Sequence, residues 1–244
     1  MKIAVFQVGG LTLRGEVVGE EAVGLGRRWP LAQVRLLPPV RPSKIVCLGR
    51  NYPAHARELG NEVPERPLLF FKPPSAVIGP GEEILLPRSS RRVDYEGELA
   101  VVIGRRCRNV RAKDATEVIL GYTCLNDVTD RAAQEWECNW VRAKGFDTSC
   151  PIGPWIVTPD ELDFPLTVET YVNGELRQRG TTSQLIFGIP EIIQEITSFM
   201  TLEEGDVIAT GTPARVGPLS PGDRVEVRIP GIGSLENPVG RGGD

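Results

Sequence analysis

The chain reads as an α+β protein dominated by β structure, a mixed roll or sandwich of short strands with few, peripheral helices. Three observations predict this. Short apolar runs, some alternating and some continuous, recur along the whole length. The 27 glycines and 21 prolines cut the chain into short pieces. A clear helical stripe occurs in one place only, near the C-terminal third. With 244 residues, 41% of them hydrophobic and 25% charged, the chain can bury a sizeable core.

Taken in order, Lys2 to Gln7 and Gly15 to Gly19 read as strands, and Pro38, Pro39 and Pro42 follow them. The first 42 residues are therefore a small β element with a linker, and residues 43–244 the main domain. Ile45 to Leu48 is a buried-strand pattern. Tyr52 to Leu59 has helical character, with Pro53 suited to a first turn and Gly60 to an end, so His55 and Glu58 share a face. A Pro- and Gly-punctuated section runs from Pro64 to Pro87. The strand Tyr95 to Ile103 comes next, and its alternation sends Glu96 and Glu98 to one side. A helix is expected over Lys113 to Leu120 with Asp114 as its cap, a strand from Tyr122 to Asp127, and a short helix from Asp130 to Trp136. Leu166 to Val172 and Glu175 to Gln178 flank Asn173-Gly174, a strong hairpin signal. Ile189, Ile192, Ile193, Ile196, Phe199 and Met200 form the helical stripe, and Asp206 to Thr210 and Arg224 to Ile229 are further strands.

The formal charge of -4 and pI near 5.3 exclude a general nucleic-acid binder, which needs an excess of Lys and Arg. No run approaches the ~18 apolar residues of a membrane span, and the N-terminus lacks a signal-peptide pattern, so a cytoplasmic protein with small-molecule partners is expected. Five cysteines form no C-x-x-C pair, and one histidine is too few for a zinc site. Any metal must bind through oxygen.

Two carboxylates on one side of a strand repel each other, and a divalent cation is the simplest compensation. Alone, the Glu96–Glu98 pair reads better as a solvated sheet face, where alternating charge is ordinary. The apolar Val101-Val102-Ile103 that follows argues for a strand entering a core, and Asp127 ends a second apolar strand. An all-carboxylate set favours Mg²⁺ or Mn²⁺.

Five runs in order, "GRNYPAHAREL", "DYEGELAVVIG", "GYTCLNDVTDRAAQ", "KGFDTSCPIGPW" and "GDVIATGTPARVG", resemble the fumarylacetoacetate hydrolase family from Lys44 onward. The resemblance implies that Glu96, Glu98 and Asp127 hold Mg²⁺ or Mn²⁺ and that Lys144 stands beside a substrate carbonyl. It further implies that Arg50, Arg131, Gln134 and Thr212 line the substrate pocket and that His55 with Glu58 activates water. Leu48 stands where the original hydrolase has a fourth aspartate ligand, so three protein ligands are expected. The implied substrate is a small enolisable 2-oxo acid. The "GRNY" form and short N-terminal element look most like 2-hydroxyhepta-2,4-diene-1,7-dioate isomerases. Related decarboxylases, acylpyruvate hydrolases and oxaloacetate tautomerases share the same site, and a homodimer is implied.

Each residue also has a plainer reading. His55 is equally a helix residue with an incidental acidic neighbour, Lys144 a surface ammonium, and Arg131 a salt-bridge partner of Asp127 or Asp130. Gln134 fits a helix surface and Thr212 the start of a turn before Pro213. Trp136, Trp140 and Trp155 read as core or interface residues. The whole chain also admits a non-catalytic β-rich binding module. The segment from Tyr52 to Pro64 suits a lid that orders over substrate.

Overall fold

The computed structural model describes residues 1–242. The fold is mostly β, built from mixed sheets with few helices. The main sheet runs in the order Arg27–Pro30, Glu21–Gly24, Leu11–Val18, Lys2–Val8, Cys150–Val157, Ile119–Asn126, Gly97–Ile103, Val207–Ala209, Ile45–Gly49, Leu68–Lys72. Its centre is continuously buried: all seven residues of Gly97–Ile103 are covered, and apart from Glu98 they are apolar or glycine, as a strand covered on both faces requires. The Ile189–Phe199 helix lays Ile189, Ile192, Ile193 and Ile196 on one side of this sheet. Full burial of such side chains is worth about 1.5–3 kcal/mol each.

A second sheet, ordered Glu175–Thr181, Thr167–Val172, Arg224–Ile229, Gly233–Arg241, Ile84–Leu86, packs against the first. The Asn173-Gly174 turn sits where the hairpin signal put it, with both residues at positive φ. Three very short strands, Thr129–Asp130, Val93–Tyr95 and Gly217–Pro218, form a third sheet. The N-terminal strands continue the main sheet, since Lys2 and Ile3 pair with Val157 and Ile156.

Four local expectations change. Lys113 to Leu120 is a 3₁₀ helix over Ala112–Val118, and the strand after it already starts at Ile119, because β-branched Val118 and Ile119 favour extended backbone. Asp114 lies inside that helix's first turn and binds Arg111, while the capping position is Arg111 itself. The strand from Tyr95 divides at Glu96 into Val93–Tyr95 and Gly97–Ile103, which belong to different sheets. The punctuated section from Pro64 to Pro87 contains three strands, Leu68–Lys72, Val77–Ile78 and Ile84–Leu86.

Candidate active site

The division at Glu96 creates the site. Where the chain leaves one sheet for another, the Glu96 N–H donates to Asn126 Oδ1 at 2.9 Å, and the Asp127 N–H donates to the Glu96 carbonyl at 2.8 Å. These bonds set the two acids side by side. Glu98 lies two residues on, and its Oε2 accepts the Gly211 N–H at 2.7 Å. Gly97 between them has no room for a side chain, since a Cβ would stand 2.0 Å from Thr170 Oγ1. One oxygen from each of Glu96, Glu98 and Asp127 lies within 4.8 Å of the others, and all three residues are buried.

Buried carboxylates persist only when paired. Lys144 Nζ donates to Glu96 at 2.8 Å, Asp127 at 2.6 Å and Thr129 Oγ1 at 2.7 Å. Lys72, also buried, donates to the other Asp127 oxygen at 2.8 Å. Arg131 binds Asp94 through Nε at 2.9 Å, Gln134 through Nη1 at 2.8 Å, and Glu96 through Nη2. Among the described residues no cationic side chain pairs with Glu98.

The titration behaviour follows from this asymmetry. Burial pushes Glu96 up, but Arg131 and Lys144 overcome it and hold its carboxyl well below the usual range. Burial, reinforced by the charges of Asp127 and Glu96, drives Glu98 well above it. Lys144 loses stability as a cation through burial, yet Asp127 and Glu96 more than compensate and raise it. Lys144 is therefore a fixed ammonium in this arrangement. The donor set fits a hard divalent cation: three converging carboxylates, no nitrogen or sulfur donor among them, and an acid left without its own counter-charge.

These groups form the floor of a cleft of about 450 Å³. Arg50, His55, Glu96, Glu98, Arg131, Gln134, Lys144 and Thr212 all line it. Asp127 is fully buried behind the two glutamates, and Glu58 stands behind His55. The His55 Nδ1 is 3.5 Å from Glu58 Oε2, and both Glu58 oxygens accept the Arg215 N–H, at 2.9 and 2.8 Å. The Pro53–Glu58 helix is thus tied to the loop after Thr212. Burial lowers the pKa of His55, with Glu96 and Glu58 opposing, so the ring is neutral near pH 7. Thr212 is committed to structure: its hydroxyl donates to the Gly97 carbonyl and accepts from Gln178, each at 2.9 Å. Arg50 holds φ 58°, a strained value for a residue with a Cβ.

Other lining or supporting residues escaped the sequence reading. Trp140 lines the cleft at φ 55°, its ring 5.5 Å from Phe70, which itself lies 4.8 Å beneath the Lys144 ammonium. Lys72 and Asp94 support the floor. Asp94 had a visible signal, because Asp94, Glu96 and Glu98 continue one period-two series of acids.

Comparison with known proteins finds a family and several relatives. The family described as fumarylacetoacetate (FAA) hydrolase, C-terminal, matches residues 44–240. The oxaloacetate tautomerase YisK of Bacillus subtilis is 43% identical over 226 residues, 87% of this chain and 75% of that protein. The crystal structure of 2-hydroxyhepta-2,4-diene-1,7-dioate isomerase from Mycobacterium marinum superposes with a TM-score of 0.92 at 42% identity, covering 100% of both chains. Maleylpyruvate hydrolase from Sphingobium sp. SYK-6, in complex with manganese(II) and pyruvate, gives a TM-score of 0.87 at 35% identity, again over 100% of both. No helix among the described residues is long and apolar enough to cross a membrane.

Proposed function

The chain belongs to the fumarylacetoacetate hydrolase family, whose members are enzymes, and on that footing we propose that it is a Mg²⁺- or Mn²⁺-dependent enzyme acting on a small, enolisable 2-oxo dicarboxylic acid. The reaction we assign is proton transfer at the carbon next to the ketone, as in an isomerase or tautomerase. One observation carries the reading: three buried acids converge on the floor of a cleft whose walls are rich in cations. Glu96, Glu98 and Asp127 would hold the ion. When bound, the ion supplies a Lewis acid that polarises a ketone and favours loss of the neighbouring proton.

The chain's own residues complete the chemistry. Lys144, kept cationic by its acids and with its three N–H donors engaged by Glu96, Asp127 and Thr129, stabilises through its charge the oxygen on which negative charge grows. Arg131 is gripped at all three nitrogens, so it holds Glu96 in place rather than roaming for substrate. Neutral His55 is a proton acceptor that opens to the cleft, with Glu58 behind the far nitrogen. Phe70 and Trp140 form an apolar wall that limits water.

A buried, neutral histidine backed by a carboxylate also favours a second reading, hydrolysis of acylpyruvates with His55 activating water. Decarboxylation of the same acids is accessible from the same polarised ketone. The assembly we assign is a homodimer, which light scattering checks directly.

The test is conversion of oxaloacetate and acetylpyruvate, followed by mass spectrometry and ultraviolet absorbance, with Mg²⁺, with Mn²⁺ and after chelation. Metal-dependent tautomerisation of oxaloacetate is the expected result, and metal-dependent cleavage of acetylpyruvate would favour the hydrolase. Absence of any metal-dependent conversion would leave a β-rich binding module.

A further inference from the structure

We infer that Arg92 is the residue that reads the second carboxylate of the substrate, making this cleft selective for dicarboxylic over monocarboxylic 2-oxo acids. The inference rests on the proposed function and names the specificity determinant of the same site.

The cations in and beneath the cleft differ in what already engages them. Lys144 spends its three donors on Glu96, Asp127 and Thr129, and Lys72 is consumed by Asp127. Arg131 is bound at all three nitrogens with its side chain only 10% exposed, which leaves one N–H on each Nη. Arg50 also lines the cleft, but no hydrogen bond or ion pair among the described residues fixes its guanidinium. Arg92 lines the same cleft and differs from them: its side chain is 53% exposed. The guanidinium is nevertheless fixed. Its Nε donates to Asp94 Oδ1 at 2.8 Å and its Nη2 to Asp94 Oδ2 at 3.0 Å, a two-point grip on a carboxylate that is itself fully buried. Nη1 has no partner among the described residues, so its two N–H groups remain for a ligand. The backbone is held too, for the Arg92 carbonyl accepts the Arg131 N–H at 2.9 Å.

Asp94 binds two guanidiniums, those of Arg92 and Arg131, but Arg131 is shared with Glu96. The charges of the network therefore balance, and what sets Arg92 apart is its exposed, unpartnered Nη1 on a guanidinium that Asp94 holds still. An arginine held in place by a buried acid loses little side-chain entropy on binding an anion, which is how planar, two-point recognition of carboxylates is achieved. Asp94 is accordingly a positioning residue, and Arg92 the group that touches the ligand.

The experiment compares oxaloacetate with 2-oxobutanoate, which has a methyl group in place of the distal carboxylate. Binding to the Mg²⁺-loaded full-length protein is read by calorimetry, and turnover is followed in the same samples. The wild type is expected to bind oxaloacetate at least tenfold more tightly. Arg92→Gln should erase most of that preference while 2-oxobutanoate affinity changes less than twofold, and Arg92→Lys should restore part of it. No preference in the wild type, or equal weakening of both ligands in Arg92→Gln, would overturn the inference. The two failures separate cleanly: selective binding without metal-dependent turnover refutes the enzyme reading alone, and turnover without selectivity refutes the role of Arg92 alone.

Discussion

Glu98 and His55 show how one side chain's surroundings decide its use. Glu98 faces two other acids with only a backbone N–H to offset its charge, so a divalent ion gains more from this residue than from either neighbour. Replacing it by glutamine keeps the shape and removes the charge. In the wild type, Mg²⁺ at a hundred times its dissociation constant should stabilise by about 2.7 kcal/mol, roughly 5–10 °C in a chain of this length. Glu98→Gln should lose that metal-dependent rise and the turnover while still unfolding cooperatively; a preserved rise in differential scanning fluorimetry would remove Glu98 from the ion. His55 yields a pH prediction. Burial holds its pKa below the ordinary 6.5, so the neutral, accepting form persists to lower pH than for a free histidine. Hydrolysis that uses it should stay level through neutral pH and fall only in a limb below 6.5. His55→Ala should abolish that limb and depress hydrolysis more than tautomerisation, whereas equal loss in both would make the residue structural.

At the scale of elements, the strands were legible where apolar and acidic residues alternate, and opaque where partners are remote. The Glu96-Gly97-Glu98 run announces a shared face by its period alone. Nothing local marks Lys72, whose partner Asp127 is 55 positions away and meets it only after the Leu68–Lys72 strand has become the far edge of the sheet. Trp140 packs against the core that holds Ile45 and Phe70, as read, and also lines the cleft, a second role that nothing local announces, whereas Trp136, read as core or interface, is exposed and not in the core. The division of the strand at Glu96 was hidden for a similar reason: each half pairs with segments far along the chain. Asp206 illustrates such a remote tie and makes a test. It accepts the N–H groups of Ser43, Lys44 and Glu203, the Ser43 hydroxyl and the Lys44 ammonium, and so fastens the start of Ile45–Gly49 to Val207–Ala209. Burial would raise its pKa, but the Glu203 N–H, Lys44 and Ser43 overcome it and lower it from 3.8. A lowered carboxylate stabilises the fold above its unfolded value and ceases to do so as pH falls through the folded one. Asp206→Ala should therefore cost about 3 kcal/mol in urea denaturation at pH 7. The gap from wild type should narrow as pH drops below 3.8, and a gap independent of pH would refute the charge-based account.

On the scale of the molecule, the question is whether the first 42 residues are an appendage or part of the body. The sequence suggested a small separate element, since prolines close it and the family resemblance begins at Lys44. The contacts argue for integration. Lys2 and Ile3 pair with the Cys150–Val157 strand, Val40 is buried in a core shared with Ile45 and Ile152, and Trp155 packs against the cluster of Ala4, Phe6, Val17 and Ala22. The Cys150–Val157 strand in turn neighbours Ile119–Asn126, which ends one residue before Asp127, so the N-terminal strands brace the sheet that carries the acids. Removing residues 1–42 uncovers Trp155 and part of an internal strand edge, a surface that invites association between chains. Losing two or three such apolar contacts at about 1.5–3 kcal/mol each corresponds to a fall of roughly 10 °C or more in melting temperature for a protein of this size. The truncated chain, residues 43–244, should melt at least that much earlier and show concentration-dependent aggregation in light scattering. Should it instead melt with the full-length protein and keep its metal-induced stabilisation, the N-terminal strands would be dispensable to the site, and the acids would owe their placement to residues 43–244 alone.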